Sequence, residues 1–340
     1  MSYPWKSRAL CLEVPPTSQI DRFCRFIGDV LAKDKIDTLV LLIRYRYQFT
    51  SHPECRADDP ISCEDAQKIK AACDAHHIRV VPKMNLLGHQ TRPDVHINDA
   101  LLMAHPELDE TPWLSDDEIE YCRSICPTHP DSLRIVLDLV DELAAAFDAD
   151  AFHIGCDEVF LIGMCERCKT HSTAELFSNW VNAIAGHLKE KGIETFMWGD
   201  RLLDSYVCHH GPWDASKVGT ADAIKTIDKD IVICDWHYYH WPAFPSVDVF
   251  GEAGMKSYLC TFNIGANAKK FLDYAKEHDH GNILGIMETT WVPADFFMDC
   301  IEGKPFRSTE QWYAQGIPAI VRTYRWLFED GPLPDDSDED

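Results

Sequence analysis

The chain has 340 residues, of which 46% are hydrophobic and 26% charged, and its formal net charge is −24 at pH 7. So acidic a chain is not expected to bind nucleic acid, because phosphate binding needs a positive surface. No stretch of about 18 apolar residues occurs, so no membrane span is expected.

Apolar runs alternate with amphipathic segments along the whole chain. The runs that read as buried strands are residues 8–14, 38–45, 78–84, 151–156, 193–198, 231–236, 257–262 and 282–288. The segments that read as helices are residues 19–32, 65–75, 128 or 131 to 147, 172–191, 221–227, 250–255, 266–277 and 309–328. Continuous apolar strands separated by helices are typical of parallel sheets.

This alternation predicts a (β/α)8 TIM barrel that forms a single domain over residues 1–332, followed by a solvated acidic tail at 333–340. A long connection, residues 90–127, interrupts the regular order before the fourth strand. Connections of that length are usually functional. We therefore expect it to cover part of the site and to contain a helical turn near residues 99–104.

The fourth strand ends in two adjacent acids, Asp157 and Glu158. Because side chains alternate along a strand, His153, Gly155 and Asp157 are expected on one face, with Glu158 pointing elsewhere or lying in the next loop. Two diverging acids suit two separate tasks, unlike the carboxylates that sit roughly 5 Å apart in ordinary retaining glycosidases. The structural alternative is a strand end whose acids cap a helix or pair with an arginine.

The His-x-Gly-x-Asp-Glu spacing resembles the signature of glycoside hydrolase family 20, the β-N-acetylhexosaminidases, and is most similar to hexosaminidase D-like members. The resemblance implies that Glu158 is the general acid/base. It implies that Asp157 orients the substrate's own 2-acetamido group, which attacks the anomeric carbon. The expected activity is that of a retaining exo-β-N-acetylhexosaminidase acting on terminal N-acetylglucosamine or N-acetylgalactosamine, without a cofactor.

Polar and aromatic residues gather where the predicted strands end, which is where barrels of this kind place their active sites. Tryptophans there suit a sugar ring, whose apolar face stacks on aromatic rings, although rim packing is the alternative for each. The resemblance implies that His89 supports Glu158 and that Tyr238, or its neighbour Tyr239, binds the acetamido oxygen. His153 is expected to be a core histidine that fixes Asp157 or the sugar. The predicted substrate-binding residues are His89, His153, Trp198, Asp200, Trp236, Tyr238, Glu288 and Trp291.

Three positions depart from the family pattern. Pro16 stands where an arginine is usual, residues 44–46 read Arg-Tyr-Arg where an aspartate usually ends the second strand, and Pro293 stands where a glutamate is usual. The contacts to the sugar O3, O4 and O6 are therefore expected to differ.

The N-terminal residues lack the pattern of a signal peptide, so we predict a cytoplasmic protein whose 14 cysteines are mostly reduced and buried. Cys165-x-x-Cys168 could form half a zinc site, completed by Cys122, Cys126 or His171. A single Cys-x-x-Cys is weak support, and no metal is predicted.

Two other classes of function stay open. One is a metal-dependent barrel hydrolase that uses Asp157, His153 and His89. The other is a non-catalytic barrel that binds N-acetylhexosamines. The sequence also leaves a homo-oligomer open.

Overall fold

The structure is a computed structural model that describes residues 3–92, 97–305 and 311–334. Of the predicted acidic tail, residues 335–340 lie outside the described residues. The strands are β1 Ser7–Glu13, β2 Thr38–Leu42, β3 Arg79–Lys83, β4 Thr91–Arg92, β5 Ile97–Asn98, β6 Ala151–His153, β7 Glu194–Trp198, β8 Val232–Trp236, β9 Ser257–Thr261 and β10 Ile283–Thr289.

Eight of these strands close into a parallel barrel in the order β1-β10-β9-β8-β7-β6-β3-β2, which confirms the predicted fold. Residues of β2, β8 and β9 are buried throughout, which is why these strands read as continuous apolar runs. The short strands β4 and β5 form a separate antiparallel pair within the long connection, and the sequence did not predict them.

Helices lie between the barrel strands near the predicted positions. They are α1 Ile20–Phe26, α2 Cys63–Asp74, α3 Ala100–Ala104, α4 Ser132–Ala146, α5 Thr173–Glu190, α6 Ser205–Cys208, α7 Ser246–Glu252, α8 Gly265–Glu277, α9 Ala294–Ile301 and α10 Gln311–Phe328. The helix predicted near residues 221–227 is a 3-10 helix, Thr220–Lys225, and α6 and α9 were not predicted. Among the helices described, none has the length and apolar character needed to cross a lipid bilayer.

The chain divides into two compact units. The first comprises Met1–Leu42, Glu64–Val81 and Cys234–Asp340. In this unit α8 packs Phe271 and Leu272 against Leu259 of β9 and Ile286 of β10. These apolar contacts fix β9 and β10, and β10 carries the predicted site residue Glu288.

The second unit comprises Ile43–Cys63 and Pro82–Ile233. Its helices α4 and α5 bury apolar stripes that include Leu139 and Leu143 of α4 and Val181 and Ile184 of α5. Its strand β6 pairs with β7 through Phe196 beside His153. The two acids at the end of β6 therefore start from a rigid, fully buried strand.

Candidate active site

The backbone leaves the strand geometry before it reaches the two acids. Strand β6 ends at His153, and Gly155, Cys156 and Glu158 have φ of 69°, 64° and 48°. The predicted alternation of His153, Gly155 and Asp157 on one face was therefore wrong, because left-handed residues break the two-residue period. Glu158 does leave the strand, as expected.

His89 joins the two acids into one charged group. Its Nε2 lies 3.1 Å from Asp157 Oδ2 and 2.9 Å from Glu158 Oε2. The His89 Nε2 atom lies between the two carboxylates and forms no well-aligned hydrogen bond with either. Electrostatic attraction between the imidazole and the carboxylates therefore accounts for the short distances. A Cβ at Gly88 would lie 2.7 Å from the Asp157 carbonyl oxygen, so a glycine is needed for this close approach.

Charge decides the protonation of this pair. Burial alone would lower the pKa of His89, but the Asp157 carboxylate raises the pKa well above its usual value. Burial alone would raise the pKa of Asp157, but the His89 cation holds that pKa well below its usual range. The two residues therefore form an imidazolium–carboxylate ion pair across the neutral range.

One oxygen of Asp157 is left for a ligand. Oδ2 faces His89, whereas Oδ1 is buried and has no hydrogen-bond partner among the described residues. A buried carboxylate oxygen without a donor costs free energy, and an N–H group of a bound molecule would satisfy it. Asp157 is thus arranged to accept a hydrogen bond from a ligand while it stays ionised.

Asp200 holds the backbone that carries Glu158. It is buried, and its Oδ2 accepts hydrogen bonds from the backbone N–H of Glu158 at 2.9 Å and from Arg201 Nε at 2.5 Å. Burial raises the pKa of Asp200 to about 6, against the opposing charge of Arg201. These contacts make Asp200 a positioning residue for the turn at Glu158.

Tyr121 is part of the site and was not predicted from the sequence. Its phenol hydrogen-bonds the Glu158 side chain, and burial together with the Glu158 charge raises the pKa of Tyr121 well above its usual value. Its ring contacts those of His89 and Trp213 at centroid distances of 5.4 and 4.8 Å. Tyr121 lies in the long connection that was expected to cover part of the site; Trp213 lies in a loop without a motif.

A buried lysine, Lys83 at the end of β3, was also missed. Its Nζ donates to Asn85 Oδ1 at 2.7 Å and lies 5.5 Å from the Trp198 ring centroid. The Trp198 ring is fully buried and lies 4.7 Å from that of His153. Burial and the Lys83 charge lower the pKa of His153 well below its usual value, and its Nδ1 accepts the Gly155 N–H. His153 is therefore a neutral core histidine.

The residues at the end of the second strand, where the family pattern is not followed, contact the long connection. Arg44 lies 3.8 Å from Asp99, the residue before α3, and Tyr45 donates to Gln90 at 2.7 Å. Arg44 and Tyr45 at this strand end thus anchor the connection that carries Tyr121.

The first unit brings together three other predicted residues. The Tyr238 oxygen lies 2.9 Å from Thr289 Oγ1 and accepts a hydrogen bond from Trp291 Nε1 at 3.2 Å. Its ring lies 4.8 Å from the Trp236 ring. The single Thr289 hydroxyl proton is also within reach of the Thr261 carbonyl oxygen at 2.7 Å, so the Tyr238 hydroxyl can donate to Thr289 Oγ1. The role of Tyr238 in binding an acetamido group stays a prediction.

Glu288 lies in β10, where it is fully buried and accepts a hydrogen bond from Thr261 of β9. Burial raises the pKa of Glu288 well above its usual value. Burial thus favours the neutral form of this side chain. Its part in substrate binding stays a prediction.

Among the described residues, three groups of side chains in the second unit have the spacing of metal ligands, and the first is His52, Glu54 and His105. His89, Asp157 and Glu158 form the second group, which does not include the His153 of the metal-dependent alternative. The positive charge on His89 opposes a cation there, because a protonated imidazole cannot act as a ligand. Glu110, Cys126, Cys165 and Cys168 form the third group.

The chain belongs to glycosyl hydrolase family 20, whose catalytic-domain model matches residues 44–294. The curated hexosaminidase D of Bos taurus is 23% identical over 176 residues, which cover 48% of this chain and 47% of the relative. The chain thus spans about half the length of that relative.

Solved structures share the fold. A β-N-acetylhexosaminidase of Bacteroides fragilis superposes with a TM-score of 0.64 at 14% identity, covering 97% of this chain and 73% of the other. An exo-β-N-acetylglucosaminidase of Vibrio harveyi, solved in complex with N-acetylglucosamine, gives a TM-score of 0.61 at 15% identity. It covers 97% of this chain and 58% of the other. At these identities the likeness speaks for the fold alone.

Proposed function

We propose that the chain is a retaining exo-β-N-acetylhexosaminidase that removes terminal N-acetylglucosamine or N-acetylgalactosamine by substrate-assisted catalysis. Membership of family 20 supports glycoside hydrolysis. The relatives' names support an N-acetylhexosaminide as the substrate. The observation that carries the mechanism is the buried, ionised Asp157, whose Oδ1 lacks a partner among the described residues.

In the proposed mechanism Asp157 acts on the substrate's amide. Its Oδ1 accepts the acetamido N–H, which turns the amide oxygen toward C1 and stabilises the positive charge that develops as this oxygen attacks. A carboxylate fixed in advance by His89 does this without reorganisation during the reaction. The product of the step is a bicyclic intermediate in which the amide oxygen is bonded to C1.

Glu158 acts as the general acid and then as the general base of the proposed reaction. As a carboxylic acid it protonates the leaving oxygen while the C1–O bond breaks, and as a carboxylate it then takes a proton from the water that attacks C1. Retention follows, because two displacements occur at the same carbon. His89, Tyr121 and the Asp200-bound backbone hold Glu158 in place from three sides.

The substrate preference tests the proposal directly. We expect the chain to hydrolyse chromogenic β-glycosides of N-acetylglucosamine or N-acetylgalactosamine and to leave the matched β-glucoside and β-galactoside almost untouched. The reason is that only the acetamido sugars bring their own nucleophile. Equal turnover of plain glucosides would rule out the substrate-assisted route, and saturable sugar binding without any hydrolysis would indicate a non-catalytic barrel.

The variant Glu158→Gln tests the acid/base role. General acid–base catalysis contributes about 10²–10⁴-fold, so kcat/KM should fall by a factor in that range. The fall should be smaller for a substrate whose leaving group needs no protonation. Glu166→Gln, an exposed residue of the following loop, is the matched control and should keep normal activity. Wild-type turnover in Glu158→Gln would remove Glu158 from the mechanism.

Two expectations from the sequence stay predictions. Cell fractionation tests the cytoplasmic location, and analytical ultracentrifugation tests whether the chain forms a homo-oligomer.

A further inference from the structure

Three thiols and one carboxylate meet in the interior of the second unit, away from the sugar chemistry proposed above. Cys126 Sγ lies 3.5 Å from Cys165 Sγ and 3.6 Å from Cys168 Sγ, and Cys168 Sγ lies 3.3 Å from Glu110 Oε2. All four residues are buried. We refer to Glu110, Cys126, Cys165 and Cys168 as the Cys3Glu cluster.

From this arrangement we infer that the Cys3Glu cluster is a structural zinc site. Tetrahedral zinc with Zn–S bonds of about 2.3 Å and a Zn–O bond of about 2.0 Å requires sulfur atoms about 3.8 Å apart and sulfur and oxygen about 3.5 Å apart. The observed separations are each within about 0.3 Å of these values. Three sulfur ligands favour zinc over magnesium or calcium, which prefer oxygen.

The surroundings of Glu110 orient its carboxylate as a ligand. Oε1 accepts the backbone N–H groups of Met164 and Cys165 at 2.7 and 3.1 Å, so only Oε2 turns to the thiols. No lysine or arginine pairs with Glu110 in the part of the chain that the structure describes. A buried carboxylate without a cation is costly, and a bound divalent ion would supply the missing charge.

Hydrogen bonds from neighbouring groups also support the sulfur ligands. Thr128 Oγ1 lies 3.1 Å from Cys168 Sγ, where its hydroxyl can donate to a thiolate. The backbone of Cys126 donates to Leu108 and that of Glu110 to Ser124, so a short antiparallel ladder holds two of the ligands in register.

A disulfide does not account for the cluster. All three thiols are free, and the two sulfur separations that involve Cys126 exceed the roughly 2.05 Å of an S–S bond by far. Any one disulfide would also leave the third thiol without a partner. The other two candidates that the sequence offered lie elsewhere: Cys122 accepts the His89 N–H, and His171 lies near Glu175.

The position of the cluster explains what a metal would do. Cys126 follows Tyr121 and Cys122 in the long connection, and Cys165 and Cys168 lie in the loop after Glu158. A zinc ion would fasten these two loops to each other, one of which carries Tyr121 while the other follows Glu158. Its role would be positional, because the described contacts of the cluster involve no predicted catalytic residue.

Metal content is the first measurement. The full chain should be purified without immobilised-metal chromatography and analysed by inductively coupled plasma mass spectrometry. About one zinc per chain is expected, and Glu158→Gln should retain it. This outcome is independent of sugar turnover, so failure of the proposed function and failure of the zinc site can be told apart. Less than a tenth of a zinc per chain, combined with no uptake of added Zn²⁺, would overturn the inference.

Variants then test the ligands. Glu110→Gln keeps an oxygen for the two backbone N–H groups but removes the negative charge, so Zn²⁺ affinity should fall at least about tenfold, a loss that even an outer contact can cause. Cys168→Ala should lose more. Cys73→Ala, a buried thiol of α2, should bind Zn²⁺ within twofold of the wild type. Unchanged affinity in both Glu110→Gln and Cys168→Ala contradicts the proposed ligand set.

Thiol labelling is carried out on the wild-type chain, so its result does not depend on whether a variant folds. In the native chain iodoacetamide should modify the exposed Cys63 and spare the three thiols of the cluster. After removal of zinc by a chelator, mass mapping should show Cys126, Cys165 and Cys168 modified, and added Zn²⁺ should restore protection. Two results would contradict the zinc site. One is that the three thiols stay protected from iodoacetamide after chelator treatment, and the other is a chain mass 2 Da lower than expected, which would indicate a disulfide.

Discussion

His89 is the residue on which the charges of the candidate active site depend. It carries the positive charge that keeps Asp157 ionised in a buried place, and the same nitrogen contacts Glu158. Its backbone has φ of 56°, and Glu158 is likewise left-handed. Non-glycine residues rarely adopt this conformation, and they concentrate at functional sites, where surrounding structure holds them.

The ion pair gives the stability of the chain a defined pH dependence. The folded pKa of His89 is raised, so its contribution is fully present below the ordinary histidine pKa of about 6.5 and is lost as pH rises through the folded pKa. The folded pKa of Asp157 is lowered, so its contribution is present above about 3.9 and is lost at lower pH.

His89→Gln should therefore destabilise the chain most between about pH 4 and 6.5, by roughly 3–5 kcal/mol, because it leaves Asp157 buried without its cation. The difference from the wild type should shrink as pH rises through the folded pKa of His89. Urea unfolding at a series of pH values measures it. His240→Gln, at an exposed position, is the control. A difference that grows toward alkaline pH would contradict the ion pair.

At the scale of elements, strand positions could be predicted because burial on both faces leaves a continuous apolar run in the sequence. The turn after β6 could not. Its shape depends on left-handed Cys156 and Glu158, and non-glycine residues give no local signal for that conformation. The resemblance alone implied that His89 supports Glu158, and the pairing of His89 with Asp157 was not predicted, since no sequence spacing connects residues of different strands.

Other parts of the site were missed for a related reason. Lys83 reads in the sequence as an ordinary polar strand end, and only the fold reveals that its ammonium group is buried beside Trp198. Tyr121 sits in a connection without periodicity, so its contact with Glu158 exists only in three dimensions. Likewise Cys126 was one of three candidates to complete the Cys-x-x-Cys pair until the backbone ladder placed it there.

The turn after β6 should be intolerant of any side chain at Gly155. An alanine there would have φ of 69° and a Cβ 2.8 Å from the Met84 carbonyl oxygen. Gly155→Ala should therefore cost about 1–3 kcal/mol of unfolding free energy, or more if the backbone cannot shift.

Gly186→Ala is the matched control, because that glycine lies inside α5 and the added Cβ would have no atom within 4 Å apart from the local helix backbone and the adjacent residues. It should stabilise the chain by roughly 0.5–1 kcal/mol, as alanine in a helix interior does. Denaturant unfolding measures both variants. If Gly155→Ala and Gly186→Ala changed the unfolding free energy by the same amount, a side chain at Gly155 would cause no backbone or steric strain.

On the scale of the whole molecule, excess negative charge is the dominant long-range electrostatic feature. The chain has 56 acidic residues against 32 lysines and arginines. Many ion pairs, such as Lys33–Asp29 and Lys225–Asp222, are solvent-exposed. Exposed pairs contribute only about 0–1 kcal/mol each, so they do not offset a repulsion that acts over the entire surface.

Salt should therefore stabilise this chain. Raising NaCl from 0.01 to 0.15 M shortens the screening length from about 30 to about 8 Å, which weakens distant repulsions more than contacts at ion-pair distance. The melting temperature should rise by about 2 °C or more, the shift that roughly 1 kcal/mol gives in a large domain. KCl should act equally, since the effect depends on ionic strength. Near pH 4.5, where carboxylates begin to take up protons, the rise should shrink because the net charge is smaller. A melting temperature that falls with salt at pH 7 would mean that the ion pairs outweigh the repulsion.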